Sequence, residues 1–177
     1  MTEFNKDYYR TPKYFFNWLN LRFKFEVDGC ASQENSLAED YFGPGGIDED
    51  FLNFDLEAFK AVFEETSIFV NPPYSDPMPF VKRAAELMAQ GHLVVMLLPA
   101  DKSTKWYKVI QENATEVIDI IGGRINFLHP VTGEEVKGNN KGSMVAVFDP
   151  FMQGFVTRQV ELDFVKKVGG YYGGQSF

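Results

Sequence analysis

The sequence feature that most constrains the fold is a short apolar run that stops abruptly at two prolines. Residues Ser67–Val70 are followed directly by Asn71-Pro72-Pro73-Tyr74. An apolar run of this length is typical of a buried β-strand, and proline ends such a strand because it has no N–H to donate to a sheet ladder. The pattern therefore predicts a buried strand with the polar side chains of Asn71 and Tyr74 at its C-terminal end.

Two more predicted strands also end in polar or small residues. Alternating apolar and charged residues over 23–27 lead into Asp28-Gly29-Cys30-Ala31, and the almost wholly apolar run 92–98 leads into a polar cluster at 99–104. Ligands bind at the carboxyl ends of the strands in an open parallel sheet. We therefore expect these groups of residues to meet at one crevice.

Helical patterns separate the predicted strands. Thr11-Pro12 are expected to be the N-cap and the first residue of a helix, Asp55 to lie near a second N-cap, and Ser103 to cap a third helix. An amphipathic pattern also runs from Met78 to Gln90. Short connections between alternating strands and helices predict an α/β three-layer sandwich. The alternating run 143–148 is expected to be the final strand, and a late hairpin predicts one antiparallel strand in a mostly parallel sheet.

Length and composition predict a single domain spanning 1–177. The chain has 177 residues, of which 45% are hydrophobic, enough for one core but short for two domains. Its single cysteine excludes an internal disulfide and fits a reducing compartment. No apolar run approaches the roughly 20 residues that span a bilayer, and the polar, aromatic N-terminus is unlike a signal peptide. We expect a soluble protein of the cytoplasm without a membrane partner.

Three connecting segments are rich in polar or turn-forming residues. Ser32 is expected to cap a short helix that ends at Leu37. Residues 129–142 are expected to form a mobile loop before the last strand, and the Gly- and Tyr-rich residues 169–177 to form a flexible tail.

The charge distribution bears on the class of partner. The formal net charge of −8 argues against non-specific binding to nucleic acid, because that binding depends on Lys and Arg neutralising phosphates. Acidic residues nevertheless concentrate between Glu34 and Glu65, whereas basic residues follow later. A local basic face is therefore compatible with the sequence, and its candidate residues are Lys102, Lys105, Lys108, Arg124, Lys137 and Lys141.

The chemistry available to the predicted crevice is narrow. No cluster of His, Cys or Glu has the spacing of metal ligands, no phosphate-binding loop of the Walker type is present, and Cys30 has no obvious basic partner. What remains is the positioning of an amine against an electrophilic cofactor.

The segment Asn71-Pro72-Pro73-Tyr74 suits a planar amino group conjugated to a ring. The lone pair of such an amine is delocalised, so a catalyst helps by accepting hydrogen bonds from both N–H groups. The Oδ1 atom of Asn71 supplies one acceptor and the carbonyl of Pro72 supplies the other. Pro72 and Pro73 fix their φ angles and hold that carbonyl in place, while Tyr74 offers a face for a flipped-out base.

Together these segments resemble those of the phage-type DNA N6-adenine methyltransferase family. The resemblance runs in matching order from about Thr11 to Pro150. The matching segments are Thr11-Pro12, Asp28-Gly29-Cys30-Ala31, Asp55, Val70-Asn71-Pro72-Pro73-Tyr74-Ser75, Leu98-Pro99-Ala100-Asp101, Gly123-Arg124-Ile125 and Lys141-Gly142-Ser143-Met144. The resemblance implies a Rossmann-like methyltransferase fold, S-adenosylmethionine as methyl donor and adenine in double-stranded DNA as acceptor, without a metal ion.

The resemblance also implies roles for individual residues. Asn71 and Pro72 would hold the adenine amine, Pro73 would complete the motif, and Tyr74 would stack on the flipped base. The loop that begins at Asp28 is shorter than the glycine-rich cofactor loop common in methyltransferases. The residues implied to bind the cofactor are Thr11, Pro12, Asp28, Gly29, Cys30, Ala31, Asp55 and Asn71. Those implied to bind DNA, from loops and not from a separate domain, are Lys102, Lys105, Arg124 and Lys141.

Two other functions remain open from the residues alone. The four-residue motif serves planar amines generally, so a glutamine side chain of a protein or a base of an RNA is an alternative acceptor. A non-catalytic binding module that retains the fold is the second alternative, and failure to bind S-adenosylmethionine would identify it.

Overall fold

The computed structural model of the chain describes residues 5–172 and the backbone of residues 175–176. A 3₁₀ turn over Lys6–Tyr8 precedes the first helix. The helices are α1 Lys13–Phe23, α2 Leu56–Val62, α3 Met78–Ala89, α4 Lys105–Asn113 and α5 Leu162–Gly169. The strands are β1 Val27–Asp28, β2 Asp40–Tyr41, β3 Ser67–Val70, β4 Leu93–Pro99, β5 Glu116–Ile121, β6 Ser143–Phe148, β7 Val156–Glu161, β8 Tyr171–Tyr172 and β9 Gln175–Ser176.

Seven strands form one sheet in the order β2-β1-β3-β4-β6-β5-β7. Strand β6 is antiparallel to both of its neighbours, and the other pairs are parallel. This topology confirms the expected α/β fold with one antiparallel strand. Because Val70 pairs with Met96 in the parallel β3–β4 pair, Asn71 and the loop after β4 lie at the same edge of the sheet.

Two hydrophobic cores cover the two faces of the sheet, as a three-layer sandwich requires. Alternate residues of β3 and β4 point to opposite faces, which follows from the two-residue period of a strand. One core combines Ile68, Val70, Val94, Met96 and Leu98 with the buried sides of α2, α3 and α4. The other combines Phe69, Val95 and Leu97 with the buried sides of α1 and α5.

The starts of two helices differ from expectation by one residue. Helix α1 begins at Lys13 with Pro12 at the N-cap position, and no side chain caps it. Helix α4 is capped by Thr104, whose Oγ1 accepts a hydrogen bond from the Tyr107 amide at 3.2 Å. Ser103 is instead bound to the carboxylate of Asp101, so the expectation that it caps α4 was wrong.

The expected cap of α2 is confirmed. The carboxylate of Asp55 accepts hydrogen bonds from the amides of Glu57 and Ala58 at the start of the helix.

Local competition explains two other differences from expectation. The residues expected to begin a strand at Phe23 instead complete α1, which Lys24 ends in a left-handed conformation with φ of 51°. The segment from Ser32 to Leu37 forms turns and not a helix. The Leu37 amide, which a helix would direct to the backbone carbonyl four residues earlier, instead donates to the carboxylate of Asp28 at 3.2 Å.

Strand β7 and helix α5 follow β6, so β6 is not the final strand. Strand β7 lies at the edge of the sheet and five of its six residues are exposed, so it lacks an apolar alternation that would have revealed it. The range 169–177, expected to be a flexible tail, begins with the last residue of α5 and continues into β8 and β9. Gly173, Gly174 and Phe177 lie outside the described residues.

A buried carboxylate on β5 binds one arginine from α1 and another from the edge strand β7. Glu116, on β5, accepts hydrogen bonds from both terminal nitrogens of Arg22 at 3.0 and 2.7 Å and from Nε of Arg158 at 3.1 Å. The hydrogen bond from Arg22, together with that from Arg158, lowers the pKa of Glu116 against the opposing effect of burial. The ion pairs contribute stability as long as the carboxylate is charged.

We expect Glu116→Gln to lower the free energy of unfolding by about 1–2 kcal/mol at pH 7, because an amide accepts weaker hydrogen bonds from the two half-exposed arginines. Urea unfolding followed by circular dichroism measures this change. The contribution is present above the unfolded pKa of about 4.3 and is lost as the pH falls through the lower folded pKa, so the difference should shrink in acid. The same change at exposed Glu112 on α4 is the matched control, and an equal loss there would contradict the assignment.

Candidate active site

Asn71 lies directly after β3 with its side-chain amide held in one orientation. Its Nδ2 donates a hydrogen bond to Oγ1 of Thr11 at 2.9 Å. Within the described part of the chain no group donates to its Oδ1. The amide is half-buried and lines two cavities, so its oxygen is the atom available to a ligand.

The two cavities meet at Asn71. The larger has a volume of about 990 Å³ and the smaller about 270 Å³. Asp7 and Tyr9 line both cavities together with Asn71. An arrangement of this kind brings two ligands together at one amide, which is what a group transfer between them requires.

The wall shared by the cavities is formed by Asp7 and Tyr9, in a segment of which the sequence patterns singled out only Thr11. We call residues 5–11 the N-terminal strap. The Asp7 carboxylate accepts hydrogen bonds from the amide and the hydroxyl of Ser75 at 3.0 and 2.5 Å, just beyond the proline motif. The backbone of Arg10 pairs in both directions with that of Leu128, at 2.9 and 2.8 Å. The strap is therefore anchored to the end of β3 on one side and to the segment after β5 on the other.

Asp28 organises the loop that lines the larger cavity. Its buried carboxylate accepts hydrogen bonds from the amides of Cys30 and Leu37, both at 3.2 Å. Burial raises the pKa of Asp28 to about 7, and the two backbone hydrogen bonds oppose that rise. The side chain therefore fixes the course of the loop from Gly29 to Leu37.

Two glycines allow the backbone to pass close to neighbouring segments at this cavity. A Cβ on Gly29 would lie 2.8 Å from Cγ2 of Val70, and one on Gly43 would lie 1.7 Å from the Ala31 carbonyl oxygen. Gly43 also has a φ of 150°, which favours glycine. Any larger residue at either position would push the loop away from the sheet.

The residues expected to bind a cofactor are only partly brought together. The larger cavity is lined by Thr11, Asp28, Gly29, Cys30, Ala31 and Asn71. Pro12 is buried and is not among the lining residues. Asp55 is exposed at the start of α2 and does not line the cavity either, whereas Glu49 and Asp50 do. Burial raises the pKa of the Cys30 thiol, so this cysteine is not activated.

Tyr74 and Pro72 line the smaller cavity, and Pro73 lines the larger. The Tyr74 hydroxyl donates a hydrogen bond to the Leu97 carbonyl at 3.2 Å, and its ring meets the Phe127 ring edge-on at a centroid distance of 5.8 Å. Burial raises the pKa of Tyr74, so the phenol stays neutral. These contacts hold the ring in a fixed position beside the smaller cavity.

The basic residues expected to bind DNA are exposed and lie near the same edge of the sheet. Lys102 pairs with Asp119 at 2.7 Å, and Lys141 lies 4.0 Å from Asp101. Arg124 donates to the Asn139 carbonyl at 3.0 Å, and Lys105 is in the first turn of α4. Two further lysines line the smaller cavity itself: Lys137 stood only among the basic-face candidates, and Lys6 was not foreseen. Lys6 lies in a three-residue 3₁₀ turn, which is too short for a periodic sequence pattern that would have identified it.

Residues 5–172 contain no group of three or more His, Cys, Asp or Glu side chains arranged to hold a metal ion. No helix in that range combines the length and apolar character needed to cross a bilayer.

Comparison with known proteins places this chain in a family. A family model described as DNA N-6-adenine-methyltransferase (Dam) matches residues 1–170. A DNA N-6-adenine-methyltransferase of Haemophilus phage HP1 (strain HP1c1) is 36% identical over 149 residues, which cover 82% of this chain and 80% of the relative. One from Escherichia phage T1 is 33% identical over 167 residues, which cover 85% of this chain and 66% of the relative. This chain therefore belongs to the DNA N-6-adenine-methyltransferase (Dam) family.

Proposed function

We propose that this chain transfers a methyl group from S-adenosylmethionine to the N6 amine of an adenine that has been flipped out of double-stranded DNA. Family membership supports the reaction class, the acceptor and action on DNA in the cytoplasm of a host cell. The observation that carries the mechanism is the position of Asn71 at the junction of two cavities, with its Nδ2 held by Thr11 and its Oδ1 accepting no hydrogen bond from any described residue.

The residues of the larger cavity fit S-adenosylmethionine. Its volume of about 990 Å³ is at the upper end of the roughly 300–1,000 Å³ typical of small-molecule sites. Five carboxylates line it against two basic side chains, which suits a ligand with a sulfonium and an ammonium group; the carboxylates are Asp7, Asp28, Glu34, Glu49 and Asp50. Phe42, Phe51 and Phe80 offer apolar contact to an adenine ring. When bound, the cofactor supplies an electrophilic methyl group.

Individual contacts to the cofactor follow from this lining. Thr11 and the loop Asp28-Gly29-Cys30-Ala31 are retained as binding residues, and Pro12 supports them from the core. Glu49 and Asp50 take the place of Asp55 as carboxylates suited to accept hydrogen bonds from the cofactor's hydroxyl groups, because they line this cavity and Asp55 does not.

The smaller cavity is suited to the acceptor base. A paired adenine keeps its amine inside the duplex, so the base has to leave the stack before it can be methylated. Pro72, Tyr74 and Phe127 line this cavity together with Asn71. The Asn71 oxygen and the Pro72 carbonyl would accept hydrogen bonds from the two N–H groups, directing the amine nitrogen toward the methyl group. A neutral amide does this without the desolvation cost of a carboxylate.

DNA would be held by the exposed cations near this edge of the sheet. Lys102, Lys105, Arg124 and Lys141 surround the loops that follow β4 and β5, and Lys6 and Lys137 lie at the smaller cavity. The concentration of cations on one edge offsets the net charge of −8 where phosphates would approach.

The alternatives that the residues left open are less well supported. A protein glutamine or an RNA base shares the motif, but the family match over residues 1–170 favours adenine in DNA. A non-catalytic module would have no need for an amide held between two cavities.

We expect Asn71→Ala to reduce methyl transfer by at least about 100-fold, because the deleted acceptor acts on the reacting amine. The assay is single-turnover incorporation of labelled methyl groups into unmethylated duplex DNA, followed by mapping of the modified adenines. Affinity for S-adenosylhomocysteine, measured by calorimetry, should change little. Asn113→Ala, at the end of α4 and lining neither cavity, is the control, and near wild-type turnover of the Asn71 variant would refute the assigned role.

Tyr74 provides a second prediction, because its ring and its hydroxyl have separable contacts. Tyr74→Ala should weaken transfer and base binding substantially, since base stacking on an aromatic ring contributes about 1–3 kcal/mol. Tyr74→Phe should keep most of the activity and lose only the hydrogen bond to Leu97. Fluorescence of 2-aminopurine at the target position measures base extrusion in each variant. A strong loss of methyl transfer in Tyr74→Phe would show that the hydroxyl, and not ring stacking, makes the main contribution.

DNA binding can be tested with a charge-matched pair of triple variants. Changing Lys102, Lys105 and Arg124 together to Ala should weaken DNA binding. The slope of log K against log salt concentration should become shallower by about 0.9 for each phosphate that is no longer neutralised. The control removes three exposed lysines elsewhere, Lys60, Lys82 and Lys167. Fluorescence anisotropy over a salt series measures the DNA affinity and its salt dependence for each triple variant. Equal effects in the two triples would show that only net charge matters and would remove the assigned surface.

A further inference from the structure

The end of helix α5 and the residue pair that follows it are packed closely on helix α1. A Cβ on Gly169 would lie 1.9 Å from the carbonyl oxygen of Tyr14, and the Asn17 side chain donates a hydrogen bond to the Gly169 carbonyl at 3.3 Å. The Tyr171 ring meets the Tyr14 ring edge-on at a centroid distance of 5.0 Å. Nζ of Lys166 lies 4.4 Å from the centre of the Tyr171 ring. These contacts give the Tyr171 ring a fixed position on α1.

From this position Tyr171 reaches a hairpin that forms part of the smaller cavity. We call residues 127–136 the cavity hairpin. Its two limbs are joined by an antiparallel bridge between Leu128 and Glu135. The Tyr171 hydroxyl donates to the carboxylate of Glu135 and lies 3.3 Å from each of its oxygens. The cavity hairpin is therefore tied to α1 through a single hydroxyl–carboxylate contact.

The residues that follow Glu135 form a wall of the smaller cavity. Residues 136–138 come directly after it, and all three line that cavity. Asn139 comes next, and its Nδ2 donates to the carbonyl of Ile125 at 3.1 Å. The wall is thus held at both ends, by Asn139 on one side and by the contact of Glu135 with Tyr171 on the other. Release of either end would let residues 136–138 shift relative to the cavity.

We propose that Tyr171 and Glu135 are positioning residues for the site that receives the base, an inference that rests on the proposed function. Neither side chain is among the lining residues of the two cavities, so both act through residues 136–138 and not by touching the base. Tyr171 lies one position beyond the residues 1–170 that the family model matches, so family membership assigns it no role. A hydrogen bond to a charged acceptor is stronger than one between neutral groups, which suits it to hold an exposed hairpin in one place.

The larger cavity has anchors of its own. The loop after β1 is held by Asp28, and the N-terminal strap is held by Asp7 at Ser75 and by the pairing of Arg10 with the backbone. Loss of the contact between Tyr171 and Glu135 therefore weakens base extrusion and leaves cofactor binding nearly unchanged.

The experiment removes this hydrogen bond from each side and measures base extrusion separately from cofactor binding. Tyr171→Phe deletes only the hydroxyl and keeps the ring contacts with Tyr14 and Lys166. It should reduce extrusion of 2-aminopurine at the target position, and kcat/KM for transfer to duplex DNA, by about three- to tenfold. Affinity for S-adenosylhomocysteine should stay within about twofold. Glu135→Ala should act alike, and Glu135→Gln, which keeps an acceptor, should recover part of the loss. Glu134→Ala, at the neighbouring exposed carboxylate, is the matched control.

A double variant tests whether the two side chains act through one contact. If they do, Tyr171→Phe combined with Glu135→Ala should impair extrusion no more than either single change, because the second change removes nothing further. Effects that multiply in the double variant would overturn the proposal. Unchanged extrusion in both single variants, or an equal loss in Glu134→Ala, would overturn it as well.

Other outcomes separate the failure of this inference from the failure of the proposed function. A wild-type protein that neither binds S-adenosylhomocysteine nor methylates duplex DNA would overturn the proposed function. Wild-type transfer by Tyr171→Phe and Glu135→Ala would overturn only the positioning role. Thermal unfolding of each variant completes the test, because a lower melting temperature with equal loss of affinity for DNA and for S-adenosylhomocysteine would make the contact purely structural. If Glu135→Ala does not fold, Tyr171→Phe and Glu135→Gln decide the question.

Discussion

The hydrogen bond from the Asn71 amide nitrogen to the Thr11 hydroxyl is the interaction on which the rest of the site depends. It determines which end of the amide faces a ligand, since a bound nitrogen leaves the oxygen to accept. It also joins residues 60 positions apart in the chain, and so fixes the N-terminal strap against the end of β3. Without it the amide could flip and present its NH₂ group, a poor match for the proposed adenine amine, whose delocalised lone pair is a weak acceptor.

The site is assembled from irregular segments supported by a regular sheet. Buried strands with cores on both faces hold the edge in place, while the strap, the loop after β1 and the segment after β5 form the walls. Each wall is fixed by polar contacts with the backbone: Asp7 with Ser75, Asp28 with Cys30 and Leu37, and Arg10 with Leu128. This division agrees with the general rule that rigid elements position loops that carry function.

Sequence patterns were informative where burial dictates residue type. Apolar runs predicted β3 and β4, because a strand covered on both faces has to be apolar throughout. Alternation over 143–148 predicted β6, and a late hairpin predicted the antiparallel insertion. The same patterns failed at β7, whose exposed residues are set by edge position and not by burial. They also failed at Ser32–Leu37, where the buried Asp28 carboxylate accepts a hydrogen bond from the Leu37 amide that a helix would direct to a backbone carbonyl.

The sequence by itself determined the α/β class, the strand that ends in Asn71-Pro72-Pro73-Tyr74, and the functional groups on which the proposed amine chemistry rests, because these depend on local periodicity and on residue type. Tertiary structure alone decided that Thr11 is a partner of Asn71 and not a helix cap, that Asp55 only caps α2, and that Arg10 lines the larger cavity. These facts depend on contacts between segments far apart in the chain. No periodicity within one segment encodes them, because the packing of the strap against the sheet fixes their geometry.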